Sequence, residues 1–353
     1  MSQSISPGRR PLSVWEFPKL LQSVHRYRKT AKKPVRERPH FRAILAFVHR
    51  NRFAVASQIQ RRFSEFTRSD RTARRHLSEM ESLGYLDIVD TNNTSPLWPK
   101  VYFVTRRGLA RLRKALHETG QEWSASAHDR RRSNGSSAQH ILHEIFITEF
   151  LLMAWETAQS RDDLEILTTQ RRSLAKHNAF HVTVAGHKTR LQPDGMFLYR
   201  QQRKGMMCCF VEIDLGSMSL KQMGAKFRSY RTWAESSLAH KYLKELYQRH
   251  GATVPSANFR LLIVTGGRDR QVADLRCGQL ISVVLKSPAL LRDRIWFTTI
   301  HQLNEFPESS VLLSAPLWVR LRDISATVAN IVSEDLHKAP RHPLFESQRG
   351  TRP

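Results

Sequence analysis

The sequence predicts an α/β (α+β) protein built as two domains. Three features predict it: apolar positions at helical spacing from Phe41 onward that give way to two β-rich runs, a polar break at 120–139, and alternating strand-like and helical runs beyond it. With 353 residues, 40% of them hydrophobic, each domain can bury a core.

Residues 1–38 mix Pro and Ser with Arg26, Arg28, Lys29, Lys32, Lys33, Arg36 and Arg38, and read as a basic, disordered arm that can lie along phosphates. The first domain spans 39–119. Phe41, Ile44, Leu45 and Val48 mark a first helix, 52–54 a short extended link, and Ser57 the N-cap of a second helix over 58–63. A turn at 66–69 leads to a third helix over 70–83. Ala73, Leu77, Met80 and Leu83 fall on one of its faces and Arg71, Arg74, Arg75 and Ser78 on another, and Gly84 ends it as a C′ glycine. Residues 85–89 and 101–104 read as strands flanking the turn-rich loop DTNNTSPLWPK. Helix, helix, helix, strand, wing, strand is the order of a winged helix-turn-helix. In that fold one helix enters the major groove and the wing meets the neighbouring backbone. The candidate DNA contacts are therefore Arg71, Thr72, Arg74 and Arg75, with Arg68 and Lys100 beside them. The stretch KVYFVTRRGLARL also resembles the wing and following helix of many bacterial winged-helix proteins, with Thr105 and Gly108 in the Thr-x-x-Gly positions. The extra helix over 105–117 is a candidate homodimer surface.

Charge supports a DNA partner. Lys and Arg number 57 against 31 Asp and Glu, a net +26, and residues 1–132 hold 28 basic and 11 acidic side chains. Such an excess favours polyanions through phosphate contact and counterion release. Nothing approaches the roughly 20 uninterrupted apolar residues that would span a membrane, and the N-terminus shows no apolar stretch of secretory type. A cytoplasmic protein with double-stranded DNA as partner and no membrane is the expectation. Cys208, Cys209 and Cys277 form no CxxC pair, and the first two sit in an apolar run as small buried thiols.

The segment 120–139, with Ser, Gly and three successive arginines, reads as a linker, 140–337 as the second domain and 338–353 as a disordered tail. A helix over 140–157 opens the second domain. Strands follow at 164–168, 180–184, 191–199 and 206–215, then helices at 220–233 and 242–247, a strand at 259–264, a helix at 271–280 and a strand at 295–299. His140 and His143 suit capping or packing better than metal ligation.

The chemistry-bearing pattern is Pro193-Asp194-Gly195 on one strand and Glu212-Ile213-Asp214 on the next. If the two pair as a hairpin, Asp194 and Glu212 converge, and Glu212 and Asp214, two apart, share a face. Clustered carboxylates need a neutralising charge, and such oxygen ligands suit Mg or Mn at a phosphodiester. Lys221 and Lys226, on the following helix, are the candidate cations. The pattern resembles the PD-(D/E)xK nuclease core, a restriction-endonuclease-like α/β fold. That resemblance implies Asp194 and Glu212 as metal ligands, but Asp214 occupies the position of the motif lysine. The charge would then come from Lys226 first and Lys221 second, giving Asp194, Glu212, Asp214 and Lys226 as the catalytic set. No cofactor is otherwise called for; Mg or Mn enters only with nuclease activity.

Winged helix, helix from His140, strand with Pro193-Asp194-Gly195, strand with Glu212-Ile213-Asp214 and helix with Lys226 and Tyr230 together resemble the bacterial replication-relaxation family. Membership implies a part in plasmid replication, DNA relaxation or mobilisation, with a relaxase or replication protein as partner. Tyr230 does not read as a relaxase nucleophile, since no closely spaced His cluster accompanies it. A DNA-binding accessory protein is the reading that follows; a metal-dependent nuclease and a winged-helix transcription regulator are the alternatives.

Overall fold

The computed structural model describes residues 24–26, 36–91, 99–118, 137–171, 180–184, 186–253, 257–285, 293–305, 316–320 and 340–344. They form a mixed α/β protein of two compact units, 1–149 and 150–353. Most of the wing loop (92–98) and of the linker (all but 137–139) lies outside the described residues.

The first unit contains β1 (Val24–Arg26), α1 (Phe41–Asn51), β2 (Ala54–Val55), α2 (Ala56–Arg62), α3 (Asp70–Ser82), β3 (Leu86–Thr91), β4 (Val101–Val104), α4 (Arg106–Glu118) and the start of α5 (Ala138–Gln159). The apolar face of α1, Phe41, Ile44, Leu45 and Val48, is fully buried with Ile59 of α2 and Ala73, Leu77 and Met80 of α3. Burial of this kind supplies most of the stability of short helices. Ser69 caps α3 by accepting from the Thr72 N–H, and Gly84 takes φ +71° after the C-cap.

The link expected at 52–54 ends in β2, which pairs with β4. Because that strand runs to Val55, α2 begins at Ala56. Ser57 consequently lies inside the helix, and the Gln58 side chain accepts from the Val55 N–H (3.3 Å) at its start. Within the segment read as a disordered arm, β1 pairs antiparallel with β3. The sheet order is β1-β3-β4-β2.

The Thr-x-x-Gly turn into α4 has a direct physical reason. The Thr105 hydroxyl donates to the Gly84 carbonyl and accepts from the Gly108 N–H (3.0 Å), satisfying one of the free donors at the helix start. At Gly108 a Cβ would lie 2.2 Å from the Tyr85 carbonyl oxygen. Only glycine lets α4 approach β3 this closely.

Two buried carboxylates on α5 close this unit. Glu149 is held by Arg61 and by Gln58 Nε2 (3.1 Å), and Glu144 by Arg52 (3.5 Å). Arg52 also donates to His140 Nε2 (2.8 Å), so His140 packs against a guanidinium.

The second unit holds the rest of α5, then β5 (Leu164–Gln170), β6 (His181–Val184), β7 (His187–Arg190), β8 (Gly195–Gln201), β9 (Gly205–Asp214), α6 (Leu220–Glu235), α7 (Ser237–Arg249), β10 (Phe259–Thr265), α8 (Arg270–Leu285), β11 (Ile295–Thr299), α9 (Ile300–Asn304), β12 (Pro316–Arg320) and β13 (His342–Pro343). Seven strands form one sheet in the order β13-β12-β11-β10-β9-β8-β5, and β6 and β7 form a separate hairpin. β9, β10 and β11 run parallel, as helical crossovers require. Cys208 and Phe210 of β9 pack with Phe227, Tyr230 and Trp233 of α6 and with Cys277 and Leu280 of α8. On the other face Phe150 of α5 meets Phe197 and Trp318.

The strand expected over 191–199 begins only at Gly195, because Pro193 has no N–H to donate. Inside the segment read as a disordered tail, β13 pairs with β12, and the Leu344 carbonyl accepts from Arg260 (3.1 Å).

Replacing Gly108 with Ala is expected to cost about 1 to 3 kcal/mol, the range for forcing extra atoms into a packed site. Chemical denaturation of the full chain measures it; an unchanged midpoint would show that α4 need not pack so tightly on Tyr85.

Candidate functional site

The carboxylates of the second unit meet at the C-terminal end of β9. In the antiparallel β8–β9 register Gly195 lies opposite Val211, which sets Asp194, one residue before β8, across from Glu212. The Asp194 N–H donates to the Val211 carbonyl (3.1 Å), and its Oδ2 accepts from the Ile213 N–H (2.9 Å). Asp194 thus continues the ladder past the strand end with its own side chain.

Glu212 is only 2% exposed. Two groups one helical turn apart on α6 hold it: Lys226 donates to Oε2, and the Tyr230 hydroxyl donates to Oε1 (2.5 Å). The (i, i+4) spacing places both donors on the same helix face. Of the two lysines considered, Lys226 reaches the carboxylate and Lys221 is exposed.

Asp214, also buried, is clamped from α8. Arg276 Nε donates to its Oδ2 (2.7 Å), and the Gly216 N–H donates to its Oδ1 (2.9 Å). The same guanidinium donates to the Met218 carbonyl in the turn leading to α6. Arg276 lies 62 residues from its partner, and nothing in the local pattern around Asp214 pointed to it.

The candidate DNA contacts cluster on α3. Arg71, Arg74 and Arg75 are exposed on the face opposite Ala73, Leu77 and Met80, and Arg68 and Lys100 are exposed as well. Arg74 pairs with Asp70 one turn back, and Arg75 lies 3.9 Å from Glu79. Such exposed pairs are weak and exchange readily. Thr72 is less open, its hydroxyl lying 3.1 Å from that of Ser69. Behind this face Arg38 grips Glu79 through two bonds of 2.8 and 2.9 Å, so this residue of the basic arm serves the fold.

The replication-relaxation family model matches residues 45–245, more than half of the chain. The chain belongs to the replication-relaxation family. No curated protein and no solved structure matches it. The matched span runs from α1 into α7, so this family member carries Glu212, Asp214, Lys226 and Tyr230 within its family region and Arg276 outside it.

Burial pushes the Glu212 carboxyl up, the nearby Asp194 carboxylate adds to the effect, and Lys226 and Tyr230 pull against it; the outcome is a pKa of about 8. Burial acts on the Lys226 ammonium in the opposite sense, but Glu212 and Asp194 outweigh it and hold Lys226 above the ordinary lysine range. Tyr230, buried beside Glu212, is pushed well above the ordinary phenol value and stays a hydrogen-bond donor, the opposite of what a nucleophile needs.

A divalent metal fits this arrangement poorly. Both oxygens of Glu212 and both of Asp214 already accept from internal donors, and a cation sits on each residue. Among the described residues no group of three or more His, Cys, Asp or Glu side chains is placed to hold a metal ion, and this includes His140 and His143. Glu212 and Asp214 share one face of β9, the first held from α6 and the second from α8, and all three carboxylates lie close enough to Lys226 to act on it. Among the described residues no helix is long and apolar enough to cross a membrane.

Glu212 has a folded pKa above its ordinary 4.5, so between those values the folded state keeps a proton that the unfolded chain has released. Stability attributable to Glu212 is therefore full below about pH 4.5 and is lost as pH rises toward 8. Urea unfolding across this range should show the decline in the wild type and a flatter profile in Glu212→Gln. Equal slopes in the two proteins would contradict the assignment.

Proposed function

We propose that the protein is a DNA-binding accessory factor in plasmid replication, DNA relaxation or mobilisation, and that α1–α4 with β2–β4 act as a winged helix docking on duplex DNA. The observation that carries this reading is the exposed arginine face of α3. Arg71, Arg74 and Arg75 project from the N-terminal half of a helix whose other face is locked into a core. Winged helices read the major groove with the N-terminal residues of such a helix. The net charge of +26 favours the same partner, and the family supplies the process.

In this reading the second unit is a scaffold. The carboxylates that would bind Mg or Mn in a nuclease are neutralised by Lys226 and Arg276. A nuclease reading draws on the same pair, Asp194 facing Glu212, and is separated by experiment. Incubation with supercoiled, nicked or branched DNA in Mg or Mn is expected to leave the DNA intact; cleavage abolished by Asp194→Ala would establish the nuclease instead.

For DNA docking, the triple variant R71A/R74A/R75A is expected to lose at least about tenfold in affinity. Three fewer phosphate neutralisations would make the slope of log affinity against log salt shallower by about 2 to 3. Thermal unfolding should be nearly unchanged, because exposed side chains contribute little to stability. Wild-type affinity and slope in the variant would rule out α3 as the docking helix.

A further inference from the structure

A second basic surface, in the other unit, is not accounted for by α3. Residues 180–190 contain no Asp or Glu, but include Lys188, Arg190, His181 and His187. From this stretch the chain builds the β6–β7 hairpin, in which His181 pairs with Arg190 and Thr183 with Lys188. Directly paired residues point to the same side of a ribbon. His181, Thr183, Lys188 and Arg190 therefore form one face, and all four are exposed.

The opposite face fixes the hairpin in place. Val182 is buried in the core, and Phe180, just before β6, stacks on Trp233 of α6 at 5.3 Å and 12°. The helix that seats the hairpin adds little opposing charge, since the only acidic residue of α6, Glu235, is paired with Arg231 (3.1 Å). The ribbon is thus a firmly seated platform of positive charge.

We infer that the outward face of the β6–β7 hairpin is a second binding surface for the phosphate backbone of duplex DNA. It carries no aliphatic, Phe, Tyr or Trp side chain. A protein partner would need such an anchor at the centre of an interface, and unpaired bases would need more to stack on than the single His181 imidazole. Among the described residues the exposed large apolar side chains are Leu238, Val272 and Leu275, all on α7 and α8. A two-stranded ribbon also fits the B-form major groove, whereas the corresponding groove of duplex RNA is too narrow for side chains to read. The inference rests on residues of the second unit, and so stands or falls apart from the assignment of α3.

The test uses the full chain and fluorescence anisotropy with a labelled 30-base-pair DNA duplex over a salt series. K188E/R190E is expected to weaken binding by at least about tenfold and to make the salt slope shallower by about 2. K188A/R190A, which removes the two charges without reversing them, serves as a second variant and is expected to weaken binding in the same direction. Melting temperatures equal to wild type confirm that both variants fold. If the hairpin variants lose affinity while R71A/R74A/R75A does not, the hairpin surface stands and the α3 reading fails. Wild-type affinity and slope in both hairpin variants overturns the inference, as does equal binding of single-stranded DNA or duplex RNA by the wild type.

Discussion

The second unit is organised by one constraint: Glu212, a carboxylate almost wholly withdrawn from water on a central strand, must be compensated from within the protein. Compensation comes from Lys226 and Tyr230, which can reach it only if α6 lies along β9 in one register. That register also seats Phe227 and Trp233 in the core. The same requirement recurs two residues on, where Arg276 reaches across from α8 to Asp214 and ties the β9–α6 turn through the Met218 carbonyl. Removing one partner of a buried pair leaves an uncompensated charge and costs about 3 to 5 kcal/mol, so these contacts specify where both helices sit.

Charge compensation also bears on chemistry. Paired carboxylates at a strand end can bind a divalent metal, and the β8–β9 register sets Asp194 across from Glu212. In this chain the cations are side chains. Arg276 of α8 pairs with Asp214, and Lys226 of α6 with Glu212. A partly buried ammonium and a partly buried guanidinium take positions beside these carboxyl groups that a divalent ion would otherwise fill. Positive charge directed at solvent is carried elsewhere, by α3 in the first unit and by the β6–β7 hairpin in the second.

Much of the fold was legible because its longer elements are amphipathic over several turns or apolar over a whole strand. The face Ala73, Leu77 and Met80 defined α3, the strand over 101–104 coincides with β4 and that over 295–299 with β11. Short elements were not legible. β2 and β13 have two residues each and exist only because β4 and β12 offer them hydrogen bonds, information held far away in the chain. Ser57 looked like a cap because it precedes a helical period, but β2 carries the chain straight into α2. At the site, alternation along the strand and the (i, i+4) spacing of Lys226 and Tyr230 were readable, and the structure unites both with Glu212. Arg276 was not readable, since a partner 62 residues away follows from the packing of α8 on the sheet.

The central claim is that donors of the protein itself, rather than a metal ion, occupy the oxygens of Glu212 and Asp214. Titration of Mn2+ into the full-length protein, with free Mn2+ followed by electron paramagnetic resonance, tests it most directly. The account predicts that the free-ion signal grows as it does in buffer alone. One tightly bound Mn2+ per chain, lost in Asp194→Ala, would contradict it.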